Sequence, residues 1–147
     1  MEVSHSVTIG RPADEVFGLV GDPDGDTTWG SLIVESEQLS PGPVGVGATY
    51  RQTATLLGAR LTVVVEVTAY EPGRLLRYRI SEPIAVEHCR TLEATPDGTR
   101  LTFFMAIDPR GHFQTATGLL RHAARRQMEA DMDAIKAMLE ASPGQRG

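Results

Sequence analysis

The feature that most constrains this chain is a dense run of strand patterns that gives way to one long helical pattern. Between residues 32 and 108, apolar and polar residues alternate in segments separated by tight turns at proline and glycine. From Phe113 to Ala141 the chain has no proline, and its apolar residues recur at steps of three and four. This order predicts an antiparallel meander followed by one amphipathic helix over 113–141.

The part before the meander predicts one strand and two short helices. Val3–Ile9 alternates as a half-buried strand does. Pro12 suits a first helical turn before Ala13–Val20, and Asp22-Pro23-Asp24 starts a second short helix or turn that ends near Trp29. The meander itself predicts six strands, over Leu32–Leu39, Gly47–Leu56, Arg60–Tyr70, Leu75–Ser81, Ile84–Ala94 and Arg100–Asp108.

These pieces predict one α+β domain over residues 1–141, with about seven strands in a single sheet. A strongly twisted sheet of that many strands curls, and a long helix lying in its concave side does not fill all the space beneath it. An internal cavity is therefore expected, and such cavities bind ligands. The polar tail 142–147 is expected to fray.

Composition excludes several classes of function. The chain has 147 residues, 41% of them hydrophobic, and a net charge of −5, which opposes a nucleic-acid partner. It has a single cysteine, so no intrachain disulfide forms, and its four histidines have no short ligand spacing, so we expect no metal. No phosphate or dinucleotide motif indicates a cofactor. With no signal-peptide pattern and no membrane-spanning run, we expect a cytoplasmic protein; homodimerisation stays open.

A set of short motifs in a fixed order carries a resemblance to a known family. The motifs are Pro12 with Val16-Phe17, Asp22-Pro23, Trp29, Val46-Gly47-Ala48-Thr49, the run from Val67 to Leu75 (VTAYEPGRL), the run from Gly98 to Thr102 (GTRLT) and the helix end Ile135–Glu140. Together they resemble the START-like (SRPBCC) helix-grip superfamily, in its bacterial polyketide cyclase/dehydrase branch. The resemblance covers essentially the whole chain.

The resemblance implies a helix-grip fold, in which a curved antiparallel sheet wraps around a long C-terminal helix. It also implies binding of a small hydrophobic molecule, because the family includes aromatic polyketide cyclases and lipid and hormone carriers. The cysteine and histidine pairs of its iron–sulfur ring hydroxylases are absent, so that branch does not apply. The motifs are specific for fold and do not name the ligand.

Strand parity selects the side chains that would line the cavity. Successive residues of a strand point to opposite faces, so the apolar face should turn inward and bring its polar members with it. The inward set from the strands is Tyr50, Gln52, Tyr78, His88, Arg90, Phe103 and Met105. The long helix adds Leu120, Ala124, Gln127, Met128 and Asp131 from above, and Trp29 is a further candidate ligand-binding residue.

Three of these residues are candidates for chemistry. A neutral His88 would act as a general acid or base, and Arg90 would bind a carboxylate or an enolate oxygen. Tyr78, like Tyr50, would donate to a ligand carbonyl. Each of these residues also has a purely structural interpretation. His88 would hydrogen-bond to the backbone or to a tyrosine, and Arg90 would pair with Glu87, Asp131 or another acid. The tyrosines would be core residues whose hydroxyl groups reach solvent.

Two functions from different classes follow. One is an enzyme without a cofactor that catalyses cyclisation or dehydration of a polyketide-like molecule, with His88, Arg90 and Tyr78 as catalytic residues. The other is a non-catalytic carrier or sensor of a lipid-like or aromatic ligand, which needs only the cavity. The sequence does not separate them.

Overall fold

The fold is described by a computed structural model for residues 1–56, 58–108 and 117–141. Seven strands form one sheet: β1 Glu2–Ile9, β2 Ile33–Gln38, β3 Thr49–Leu56, β4 Ala59–Glu71, β5 Leu75–Ile80, β6 Ala85–Thr95 and β7 Gly98–Asp108. The helices are α1 Ala13–Val20, α2 Asp26–Trp29 and α3 Thr117–Glu140, with a 3₁₀ turn at Pro23–Gly25 before α2. The predicted α+β helix-grip architecture is confirmed. The predicted start of the long helix at Phe113 and the tail 142–147 lie outside the described residues.

The sheet is antiparallel throughout and has the order β1-β7-β6-β5-β4-β3-β2. Consecutive strands from β2 to β7 are neighbours, as a meander requires, and β1 returns to close the far edge against β7. The register shifts between Val67 and Ala69 in the β4–β5 pair and between Ile33 and Glu35 in the β2–β3 pair. Such irregularities add bend and twist to a sheet that already curls.

Two apolar clusters occupy the concave face. The first joins β1, β6 and β7 to the helices, and its buried members include Val3, Leu101, Phe103 and Met132. The second lies on β3, β4 and β5, with Tyr50, Val65 and Leu76 among its members, and contains none of the described residues of α3. The described part of the long helix therefore packs against one side of the sheet and does not supply the core of the other side.

Helix α3 is amphipathic because its apolar residues recur along one side. Met128, Met132 and Ile135 are buried in the first cluster, and Ala124 and Leu139 pack against it. In the described residues the helix makes its most extensive approach to β1, with further contacts to α1 and α2. At its end, Glu140 accepts a hydrogen bond from the backbone nitrogen of Gly10 at 2.8 Å. This contact ties the last turn of α3 to the end of β1.

Gly98 begins β7 where the chain passes very close to the end of β1. Its φ is +154°, and a Cβ at this position would lie 2.0 Å from the carbonyl oxygen of Ile9. Gly98→Ala should therefore lower the free energy of unfolding by more than about 2 kcal/mol, because backbone on both sides must shift.

The matched control is Gly18→Ala on the exposed side of α1, where an added Cβ meets nothing within 4 Å. This change should stabilise the protein by about 0.5–1 kcal/mol, since alanine is the better helix former. Urea denaturation measures both effects. A Gly98→Ala protein as stable as the wild type would contradict the close approach.

Candidate functional site

The polar residues chosen by strand parity do lie on the concave face. Tyr50 and Gln52 of β3, Tyr78 of β5, and His88 and Arg90 of β6 are all buried. On β7, Phe103 is buried and Met105 is half-buried. Register explains how they meet: Tyr78 is directly opposite His88, and Arg90 is directly opposite Phe103. The alternation of each strand and its pairing thus bring residues far apart in sequence to one surface.

A buried ion pair between Arg90 and Asp26 forms the centre of this surface. The guanidinium Nη1 donates to Asp26 Oδ1, and Nη2 donates to Oδ2, both at 2.9 Å. Arg90 is 1% exposed and Asp26 is 2% exposed, so the pair is removed from water. The parallel two-point geometry is the strongest form of arginine–carboxylate contact.

The guanidinium of Arg90 donates two further hydrogen bonds. Nη1 also donates to the carbonyl oxygen of Val20, at the end of α1, at 2.9 Å. Nε donates to Nε2 of His88 at 3.0 Å. Arg90 therefore holds α1, α2 and its own strand together, and these bonds use four of its five N–H donors.

Three aromatic rings surround the charged group. The Arg90 Cζ atom lies 4.9 Å from the ring centre of Trp29, 5.1 Å from that of Phe103 and 5.5 Å from that of Tyr78. The negative faces of aromatic rings stabilise a cation at such distances. Trp29 is itself fixed, because its Nε1–H donates to the carbonyl oxygen of Leu19 at 3.3 Å.

Burial and pairing act against each other on the ionisation of this pair. Burial raises the pKa of Asp26, while Arg90 and the amide of Gln52 lower it. Burial lowers the pKa of Arg90, but Asp26 and Tyr78 outweigh burial and raise that pKa above its ordinary value. Because both carboxylate oxygens accept hydrogen bonds from the guanidinium, we assign the pair as ionised at neutral pH.

His88 is held as a neutral imidazole. Its Nε2 accepts from Arg90, so the proton of the neutral ring is assigned to Nδ1, and Nδ1 has no hydrogen-bond partner among the described residues. Burial and the neighbouring Arg90 charge lower the pKa of His88 well below 6.5. The ring packs between Tyr78 and Phe103, with centroids 5.0 Å from each.

The remaining polar members of the site are Gln52 and the two tyrosines. The Gln52 amide donates to the carbonyl oxygen of Pro23 at 2.9 Å and lies 3.3 Å from Asp26 Oδ2. Burial raises the pKa of Tyr78 to about 12, and burial together with Asp22 raises the pKa of Tyr50. Both tyrosines therefore keep their hydroxyl protons at neutral pH.

The residues predicted on α3 divide into two groups. Met128 is buried and Ala124 packs against the first cluster, while Leu120 is half-buried. Gln127 instead donates to Asp131 Oδ1 at 2.9 Å and to the Ser31 hydroxyl. Asp131 also accepts from Ser31 N and Oγ, both at 3.3 Å, so these groups join α3 to the segment after α2.

Asp26 is the central residue that sequence reasoning missed. Parity arguments apply to strands, whereas Asp26 begins a four-residue helix after two other aspartates and looks like an exposed capping residue. One signal was present: an arginine predicted to face inward requires an acid, and Glu87 and Asp131 were the acids that the sequence pattern suggested. The structure places Glu87 on the exposed face and bonds Asp131 to Ser31 instead.

Two open clefts in the described residues lie elsewhere on the surface. The larger, about 630 Å³, is lined by residues of α2, β2 and β3, among them Thr27, Glu35 and Arg51. The smaller, about 350 Å³, lies beside Met1, Glu87 and Asp108. Neither includes a residue of the Arg90 cluster, and exposed ion-pairing side chains line the larger one. We therefore place the candidate site on the concave face.

Two properties of the described residues bear on other classes of function. No helix in this part of the chain is long and apolar enough to cross a membrane. Over the same residues, no three or more histidine, cysteine, aspartate or glutamate side chains are grouped so that they could hold a metal ion.

The fold and its buried concave face define a ligand-binding helix-grip protein. Residues 1–140 match the model of the family described as "Polyketide cyclase / dehydrase and lipid transport", and the chain belongs to that family. This match confirms the resemblance carried by the sequence motifs. No curated protein matches the chain.

Solved structures share the fold at low sequence identity. TTHA0849 from Thermus thermophilus superposes with a TM-score of 0.82 at 16% identity, covering 97% of this chain and 99% of that one. Zhui aromatase/cyclase from Streptomyces sp. R1128 gives 0.75 at 20% identity, covering 95% and 93%. Ara h 8.0201 gives 0.71 at 17% identity, covering 97% and 99%. At these identities the likeness shows the fold alone.

Arg90→Met should lower the free energy of unfolding by about 3–5 kcal/mol, because it leaves the Asp26 carboxylate buried without its partner. The matched control is Arg51→Met, which breaks the exposed Arg51–Glu37 pair and should cost less than about 1 kcal/mol. Urea denaturation at neutral pH compares the two. Similar small losses in both variants would contradict a central role for the buried pair.

The depressed pKa of His88 predicts a loss of stability on acidification. The unfolded chain takes up a proton near pH 6.5 and the folded chain does not, so stability present above that pH decreases below it. Between pH 7.5 and 5.5, the wild type should lose about 1.4 kcal/mol more than His88→Gln, which keeps an acceptor for Arg90.

The control for this titration is His122→Gln on the exposed side of α3. It should retain the pH dependence of the wild type. If His88→Gln and the wild type lose the same free energy of unfolding over this range, His88 is not held neutral in the folded protein.

Proposed function

We propose that the protein binds a small hydrophobic or aromatic molecule, polyketide-like or lipid-like, between the concave face of the sheet and α3. The observation that carries the proposal is a set of inward-pointing apolar side chains that stay only half-buried. On the sheet these are Leu61, Ile80, Val86, Met105 and Ile107, and on α3 they are Leu120 and Ala124.

Such a pattern supports open space beneath the helix. Inward-facing side chains of a filled core are fully buried, as Val65 and Leu101 are in this protein. The half-buried set lies towards one end of the same face, and α3 makes no comparable approach to β3, β4 or β5 among the described residues. A small apolar molecule that filled this space would gain roughly 25 cal/mol for each Å² of apolar surface it removed from water.

The polar centre of the face favours binding over proton transfer. A general base needs a free lone pair, yet Nε2 of His88 already accepts from Arg90, and burial depresses the basicity of the ring. An arginine that binds an enolate needs free donors, yet four of the five N–H donors of Arg90 bond to Asp26, Val20 and His88. We therefore favour a carrier or sensor that releases its ligand unchanged.

Cyclisation or dehydration is the second candidate, supported by the description of the family. It would require His88 to separate from Arg90 when the substrate binds, so that Nε2 becomes available as a base. Mass spectrometry separates the two candidates. The protein is incubated with a hydrophobic extract of cells and the bound molecule is recovered. A carrier returns a molecule with the mass and chromatographic retention time of the one it took up, whereas an enzyme returns either a mass lower by one water or an isomer of equal mass with a different retention time.

Filling the proposed space with a larger side chain should weaken ligand binding. Ala124 faces the first cluster and Ala123, its neighbour on α3, is exposed. With Nile red as a neutral fluorescent probe, the wild type and Ala123→Phe should bind equally, and Ala124→Phe should bind at least tenfold more weakly. Fluorescence titration measures the three dissociation constants. Equal binding by Ala124→Phe, or none by the wild type, would overturn the proposal.

A further inference from the structure

We propose that Asp26 sets the charge of the ligand, restricting the site to uncharged molecules that carry a carbonyl group. The inference rests on the proposed function, because it concerns the same concave face. It starts from Arg90, a buried cation among aromatic rings, which taken alone would predict a site for a carboxylate.

The ion pair removes that possibility. Both carboxylate oxygens of Asp26 bond to the guanidinium at 2.9 Å, so the charge of Arg90 is balanced before any ligand arrives. A ligand carboxylate entering this space would have to displace Asp26 or remain a buried, unpaired anion. Of the other ionisable groups at the site, His88 and Tyr78 are neutral at pH 7 because burial disfavours their charged forms.

The helix above the site adds no compensating positive charge at its polar contact. The ionisable group that α3 places next to Ser31 is the carboxylic acid of Asp131. Like the aspartates at positions 22 and 24 beside Tyr50, it would repel an incoming anion when ionised. The charge that surrounds the Arg90–Asp26 pair on α3 and on the 3₁₀ turn is therefore acidic.

The concave face still offers a free hydrogen-bond donor. His88 carries an Nδ1–H that is buried and unpartnered among the described residues, and an unsatisfied buried donor is unfavourable. A carbonyl oxygen brought in by the ligand is the complementary acceptor, and it carries no net charge. A ketone or ester therefore fits this face, and a carboxylate of the same shape does not.

A pair of probes matched in shape tests this selectivity. 2-Acetylnaphthalene is a neutral aromatic ketone, and 2-naphthoate is a carboxylate of nearly the same size. By isothermal titration calorimetry at neutral pH, the wild type should bind the ketone at least tenfold more tightly than the carboxylate. In Asp26→Asn, which frees the Arg90 charge, carboxylate binding should strengthen at least tenfold and the preference should disappear.

Two further variants control the experiment. Asp26→Asn/Arg90→Gln removes both charges and should restore the wild-type preference for the ketone. Glu37→Gln removes a carboxylate from the exposed pair with Arg51 and should leave the preference unchanged. If Asp26→Asn fails to fold in thermal melts, the wild-type comparison still tests the preference for the ketone, and a double variant that folds and binds both probes equally overturns the inference.

The outcomes separate this inference from the proposed function. Wild-type protein that binds Nile red but takes the carboxylate as tightly as the ketone, or takes neither, overturns the inference and leaves the binding function standing. An Asp26→Asn protein that folds and keeps the wild-type preference also overturns it. Wild-type protein that does not bind Nile red overturns the proposed function itself.

Discussion

The structure depends on one buried contact, the two-point ion pair between Arg90 and Asp26. Desolvating two charges is expensive, and the cost is tolerable only when geometry and further hydrogen bonds are good. Here the carbonyl oxygen of Val20, the ring nitrogen of His88 and the faces of three aromatic rings complete the surroundings of the guanidinium. Each of these partners must keep its place for the pair to remain satisfied, so the pair specifies the arrangement of its neighbours more than it adds to their stability.

That requirement connects the layers of the protein. Arg90 and Gln52 stand on the sheet, and both reach the segment from the end of α1 to the start of α2. The same segment continues to Ser31, which bonds to Asp131 of α3. The chain between α1 and β2 thus bridges the floor of the concave face and the helix above it. The second apolar cluster, on β3 to β5, has no packing residue from the described part of α3.

Much of this architecture could be predicted from residue patterns, because the alternation of the strands and the helical repeat each continue regularly over many residues. Alternation in β5, β6 and β7 placed Tyr78, His88, Arg90 and Phe103 on the concave face, and steps of three and four placed Met128 on the inner side of α3. The partner of Arg90 could not be found in this way. Asp26 lies in a four-residue helix whose orientation is set by tertiary contacts. Such a short helix has no repeating pattern from which to predict which of the three neighbouring aspartates is buried. Gln127 shows the same limit, because its bond to Ser31 depends on where a loop lies.

The position of β1 at the edge of the sheet has a consequence for how the chain is made. Among the described strands its one partner is β7, and the two are joined by contacts such as that between Ser6 and Thr102, 96 residues apart in sequence. A ribosome releases β1 first, yet the strand that must pair with it emerges after all the others. Until then the apolar side of β1, with Val3 and Ile9, has neither its ladder nor the cover of α3. Contacts so distant in sequence slow folding. The sheet can be completed only once β7 has been synthesised as far as Asp108, so a fragment that ends before β7 exposes an unpaired apolar strand that chaperones would recognise.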